Sequence, residues 1–463
     1  MSSSSVSGSS SQTINRRKGQ ADATKLTETT NLEEDSVVEK FYQSSSEGLP
    51  PFLATIKSYF PSIGDVTEDE RDIGPYEIYI PGIIFLIALV TRYYGLTDPA
   101  GVVRSGNGAP RCKVSTLVPC MQPRSLFPFP HNLLALLSIS QVFDEYHFGR
   151  FVNQYCAGTY LFDIHPPLGK LTLFAVGKLF GYDHTVCAYN AISDPYLPEC
   201  KFWVLRATAA MFGCLTAPLV YLITREFKGG VWASLLAAAF FLFDNLNLIE
   251  SRLVLIDSQL IFWCAAAMYV AQRWWRRHAD CCTEDGGTTM SIRERIAWGV
   301  AMGVVCSSSI SIKWTGLATP GMIAVESFFG FFFTKSGFYN SKKRFFIQPL
   351  PDLLVVLVVS FTLYYTWFMV HFALLPMAGD GDAFMRTEFQ AMLKNNTHYN
   401  PNAKHPGYLA TFAQLNQEML LASARIELRH NWESVWWEWP LNLRGLLYYS
   451  KDVPGLIQKT KVC

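Results

Sequence analysis

Two carboxylates stand side by side at Asp144 and Glu145, followed by His147, and roughly twenty residues later come Asp163, His165 and the double proline Pro166-Pro167. Adjacent carboxylates raise one another's pKa, which suits a proton acceptor. A base placed at the proton of an attacking hydroxyl is worth roughly 10²–10⁴-fold in rate. An Asp-Glu pair also serves simply to solvate a loop, and the residues alone leave both readings open. The prolines fix the backbone that leaves this stretch.

Other charged residues stand at the ends of apolar runs. Arg92 and Arg206 are of this kind. A guanidinium grips phosphate with two hydrogen bonds, or snorkels to the headgroups. Glu250, Arg252 and Asp257 cluster before another run, where an internal Glu–Arg pair can brace a turn or meet a ligand. Lys313 and Trp314 mark a third such place, as interface anchors or ligand contacts.

The elements that must position these residues follow from composition. Half of the 463 residues are apolar and only 17% are charged, which points to an all-α, polytopic membrane bundle. The apolar runs predict about seven spans, at 78–96, 202–224, 231–249, 253–271, 297–310, 315–333 and 351–374. Several are shorter than the ~20 residues that cross ~30 Å of hydrocarbon. Arg225, Lys228, Arg273, Arg276, Arg277, Arg293, Arg295, Lys335, Lys342, Lys343 and Arg344 fall in the loops of one side, against Arg252 and Lys313 on the other. That bias puts the N-terminus in the cytosol and the Asp144 loop across the membrane. Leu168–Tyr182 is short and broken by Lys170 and Lys178, so it is expected to lie along the interface as an amphipathic helix.

Residues 1–70 read as a disordered cytosolic tail, 71–375 as the membrane module, and 376–463 as a lumenal segment beyond the last span. No cleavable signal peptide is evident at the start, so the first span would act as an anchor. The cysteines lack metal spacing; Cys112, Cys120, Cys156, Cys187 and Cys200 share one polar loop, where one or two disulfides are expected without a readable pairing. Asn395-Asn396-Thr397 is a glycosylation sequon. No basic patch is interleaved with aromatics, which argues against nucleic acid as a partner.

Phe143-Asp144-Glu145-Tyr146-His147-Phe148-Gly149 with His165-Pro166-Pro167-Leu168 resembles the protein O-mannosyltransferases, multi-span enzymes of the endoplasmic reticulum with a GT-C fold. The resemblance continues in order through Leu205-Arg206-Ala207, Glu250-Ser251-Arg252 up to Asp257, Ser311 to Leu317, Gly381 to Met385 and Trp437 to Leu441, over most of 76–450. It implies transfer of mannose from dolichyl phosphate mannose to serine or threonine of secretory polypeptides, with inversion. By the same resemblance Asp144 is the base and Glu145 positions the acceptor, while Arg92 and Arg206 meet the donor phosphate. His165, before two prolines, is expected either to bind the donor or to order the loop, and Glu250, Arg252 and Lys313 are further candidate substrate-binding residues. No metal and no cofactor is implied, the lipid-linked sugar being a substrate, so Asp380-Gly381-Asp382 is not read as a metal-binding Asp-x-Asp. A dimer with a paralogue is implied as well.

Three departures stand out. Residues 104–141 interrupt a stretch that the family runs through directly, as a lineage-specific insert or an unspliced intron. Set against the family's pattern, a β-trefoil MIR module after the seventh span and about four later spans are expected to be absent. A catalytically silent partner subunit is therefore the rival expectation. A transporter is a second, weakened because the acids gather in a loop and not at mid-membrane in broken helices.

Overall fold

Long apolar runs with few glycines or prolines leave the backbone little choice but to satisfy itself within helices. In the computed structural model, residues 74–96, 144–190, 196–280, 290–333, 349–425, 435–438 and 443 are described. The tail 1–70, the segment 104–141, and Cys112 and Cys120 lie outside the described residues. After a 3-10 turn at Gly74–Tyr79 come α1 (Ile80–Tyr93), α2 (Glu145–Ala157), α3 (Leu168–Leu179), α4 (Phe202–Glu226), α5 (Val231–Phe243) and α6 (Asn245–Glu250). They are followed by α7 (Asp257–Asp280), α8 (Ile292–Ile312), α9 (Ala318–Phe333), α10 (Pro349–Leu374), α11 (Thr387–Gln390) and α12 (Tyr408–Ala424). Among the described residues there are no strands, only isolated bridges at Thr159–Met377 and Met377–Lys394.

Three of these helices are long and apolar enough to cross a membrane: α4, α8 and the Asp352–Leu374 part of α10. Helix α5 is apolar but shorter. The expected run 231–249 breaks because Asp244 caps a new helix, accepting from the Asn247 N–H at 2.8 Å. The expected start at 297 moves back to Ile292, where Ser291 accepts from the N–H of Glu294 in the Ser-x-x-Glu arrangement that satisfies orphan donors.

Small residues line the contact between α8 and α10. Gly299 and Gly303 stand four apart on α8, and α10 lies against that bare strip. A Cβ on Gly303 would stand 2.7 Å from Val359, and one on Gly299 2.9 Å from Val355. Ser307 donates to the Ser360 carbonyl at 2.9 Å, and Ser360 donates back to that of Gly303 at 3.1 Å. Arg295 closes one end on the buried Asp352 at 2.9 Å.

The stretch expected along the interface does form a helix, α3, but it does not turn its lysines outward alike. Lys170 is 1% exposed, and Gly169 lets α3 approach the 253–256 turn so closely that a Cβ there would sit 2.9 Å from Ile256. Among the loop cysteines, Cys187 and Cys200 form a disulfide, while Cys156 is free. Asn153 of α2 donates to the Cys187 carbonyl at 2.6 Å and accepts from the Tyr182 hydroxyl at 2.7 Å, tying the disulfide loop to α2.

Candidate active site

Helix α2 carries the acidic pair at its first turn, and the two members part company there. Glu145 is fully buried and meets Arg206 of α4 through two bonds, Nε to Oε1 and Nη2 to Oε2, each 2.7 Å. The Val254 N–H donates to Glu145 Oε1 at 2.9 Å. Arg206 also reaches the Leu96 carbonyl at 3.3 Å and lies over the Phe202 ring at 5.1 Å. This knot pins α1, α2, α4 and the 253–256 turn together. The structure places Glu145, expected to position the acceptor, and Arg206, expected to meet phosphate, against each other in the interior. Both groups are 0% exposed and paired with one another.

Asp144 is different. It is the N-cap of α2, yet its carboxylate makes no cap hydrogen bond, where a cap aspartate ordinarily accepts from the first turn. His147, Lys313, Asp257 and Asp163 surround it electrostatically. Burial pushes the half-buried carboxyl above the ordinary aspartate value; His147 and Lys313 oppose that shift, and Asp257 and Asp163 add to it. Lys313 is bound to Asp257 at 2.7 Å and its side chain keeps partial exposure.

Behind Asp144 lies a second pair, Lys170 with Asp163, in which the ammonium also donates to the His165 carbonyl at 2.7 Å. Burial lowers the Lys170 pKa, against the pull of Asp163. Burial also lowers His165, to about 4, so its ring is neutral at physiological pH. Asp163, His165 and Lys170 line a cavity closed by Phe368 and His371 of α10 and by Leu415 and Met419 of α12. His371 Nδ1 is 2.7 Å from the Tyr155 hydroxyl, and its Nε2 is buried without a partner. Sequence reasoning overlooked Lys170 and His371. Their signal was modest: single polar residues inside apolar runs, where burial has to be compensated.

Arg92 and Glu250 stand apart from this cluster. The Arg92 guanidinium is 0% exposed and wedged so tightly that a Cβ on Gly213 would be 2.7 Å from its Nε. Its Nε and Nη2 have no partner. Beside it, Thr216, Asn247, Glu250, Ser251 and Ser258 line a second cavity. Arg252 donates to the carbonyls of Tyr94 and Gly95, both at 2.8 Å, and so fastens the end of α1.

Asp380 and Asp382 face protein groups. Asp380 pairs with Arg150 and accepts from Gln154, and Asp382 accepts from the Asn396 amide at 2.8 Å. Gly379 and Gly381, on either side of Asp380, admit the backbone of 160–162: a Cβ on Gly379 would meet the Tyr160 carbonyl oxygen at 2.1 Å, and one on Gly381 the Phe162 nitrogen at 2.1 Å.

The family model for dolichyl-phosphate-mannose-protein mannosyltransferase matches residues 133–376, more than half of the chain. The chain belongs to that mannosyltransferase family. Among curated relatives, mannosyltransferase 1 of Saccharomyces cerevisiae is 32% identical over 305 residues, which are 66% of this chain and 36% of the relative. Mannosyltransferase 4 of Candida albicans is 30% identical over 319 residues, 65% of this chain and 40% of the relative. The chain thus spans well under half the length of these curated mannosyltransferases. A solved structure of the S. cerevisiae Pmt1-Pmt2 complex bound to the sugar donor superposes with a TM-score of 0.55 at 26% identity, over 73% of this chain and 39% of that one. With it, the expected all-α, membrane-embedded GT-C bundle holds.

Proposed function

We propose that this mannosyltransferase-family chain moves mannose from dolichyl phosphate mannose to serine and threonine hydroxyls of secretory polypeptides, at the lumenal face of the endoplasmic reticulum membrane. The observation that carries the reading is Asp144: a carboxylate at the start of α2 that does not cap its own helix and is raised by burial beside Lys313. In a single displacement the acceptor oxygen attacks the anomeric carbon and its proton passes to Asp144. The bond from that carbon to the phosphate oxygen breaks, and dolichyl phosphate leaves with the electron pair. Phosphate is already a good leaving group, so a base and a nearby cation suffice. Lys313, partly exposed and set among carboxylates, is the cation placed to meet the developing charge. Lys170 and the neutral His165 hold the loop behind it. No metal enters this scheme.

The Cys187–Cys200 disulfide supports the lumenal assignment, because such bonds persist in oxidising compartments. The solved Pmt1-Pmt2 relative supports a paralogous mannosyltransferase as partner. The test is transfer from dolichyl phosphate mannose to a Ser/Thr peptide in membranes carrying the chain, with and without such a partner. Transfer by the native chain that is lost in Asp144→Asn is the expected result, and transfer that survives that change overturns the base assignment. No transfer under either condition overturns the activity and favours the silent-subunit reading.

A further inference from the structure

We propose that Asn395 carries an N-linked glycan. Asn395-Asn396-Thr397 is the single Asn-x-Ser/Thr stretch in the whole sequence. The two asparagines differ in what they are free to do. The Asn396 amide donates to Asp382 at 2.8 Å, and its oxygen accepts from the His398 N–H at 2.8 Å. Asn395, the one in acceptor position, is exposed at a turn, with φ of 67°, a left-handed conformation that asparagine adopts more readily than other side chains. Thr397, whose hydroxyl completes the motif, is exposed too.

The turn is anchored on the same side of the helices as the disulfide. The Lys394 N–H donates to Pro376 and its carbonyl accepts from Ala378, at 3.0 and 2.8 Å. That same strip holds the end of α2, since the Tyr160 N–H donates to Met377 at 2.8 Å and the Met377 N–H to Gly158 at 3.0 Å. Asn153 of α2 in turn grips Cys187. A disulfide and an exposed sequon on one connected cap point to one compartment, the oxidising one in which Asn-x-Thr is modified.

The step is a glycosyl transfer from a lipid diphosphate-linked oligosaccharide. The Asn395 Nδ2 bonds to the anomeric carbon and gives up one proton to a base. The carbon–oxygen bond to the diphosphate breaks, and the lipid diphosphate leaves with the electron pair.

The inference rests on the lumenal placement proposed above, not on mannose transfer. It is tested by expressing the full chain in eukaryotic cells and comparing gel mobility before and after peptide-N-glycosidase. A downward shift of one glycan is expected for the native chain and for Asn396→Gln, and no shift for Asn395→Gln or Thr397→Ala. An unshifted native chain, or a shift retained in Asn395→Gln, overturns the proposal. Asp183→Asn separates site from side, because with Thr185 it creates a second acceptor motif in the exposed turn before Cys187. If that variant is modified while the native chain is not, the Asn395 site is wrong and the lumenal placement stands. If neither is modified, both fall.

Discussion

Glu145 and Asp144 are neighbours in the chain and opposites in situation. Glu145 is sealed in a two-bond pair with Arg206 and a backbone N–H, every atom accounted for. Asp144, one residue earlier, is half-exposed, leaves its own helix uncapped, and shares its surroundings with Lys313, Asp257 and Asp163. Glu145 is committed to its partners, which hold three elements of the fold together. The Asp144 carboxyl is pushed above the ordinary aspartate value, first by burial and then by the nearby acids Asp257 and Asp163. The first arrangement builds a scaffold, and the second leaves a group whose protonation can change.

Removing one half of the sealed pair tests that division most severely. Glu145→Ala strands the Arg206 guanidinium at 0% exposure and is expected to cost about 3–5 kcal/mol, read as a large drop in melting temperature in detergent. Replacing both partners with methionine should recover much of that, less about 1–3 kcal/mol for the Val254 N–H left without an acceptor. A single variant that melts like the native chain would remove the scaffold role.

Asp144→Asn is expected to do the reverse, lowering transfer by roughly 10²–10⁴-fold while leaving the melting temperature level or raised. The sign follows from linkage. Burial raises the Asp144 pKa, so the fold favours the neutral form, and that advantage is lost as pH rises through the raised pKa. An amide keeps the neutral form at every pH.

Tyr155→Phe strips the His371 Nδ1 of its partner in a buried place and should cost about 1–3 kcal/mol of stability. The pH dependence of transfer should stay where it was, because the charges that act on Asp144 are His147, Lys313, Asp257 and Asp163. A displaced pH profile would show that the cavity of Lys170 and His371 is coupled to the base.

The smallest effect expected is the one that defines the base. With Asp144 acting deprotonated, transfer should fail at acidic pH, along a limb lying above the ordinary aspartate value. Asp257 raises the Asp144 pKa and Lys313 lowers it, so Asp257→Asn should move that limb toward lower pH and Lys313→Met toward higher pH. Limbs that move together, or not at all, would place the titrating group elsewhere.

Much of this was legible in the sequence, and the reasons are physical. Spans show because apolar residues run together, and α4, α8 and α10 stand where hydropathy puts them. Asp144, His165 and Lys313 were legible as candidates because charge beside an apolar run is unusual. The partner of each charge was not. Nothing local tells Glu145 that Arg206, on another helix, will occupy both its oxygens. Lys170 looked like an interruption of a surface helix and proved to be turned inward to Asp163. His371 hides in the last turn of an apolar span, and its role depends on Tyr155, more than two hundred residues away.

The strip at 376–381, where Gly379 and Gly381 lie against the backbone of 160–162, sets an order of events during biogenesis. The loop bearing Asp144 leaves the ribosome long before its counterpart does. It has to wait, incompletely fastened, while the chain from α4 to α10 is synthesised. Only then can the Gly158–Tyr160 corner be laced and the cavity behind Asp163 closed. Defects in that strip should therefore surface as nascent chains caught by quality control, before any finished protein exists to be assayed.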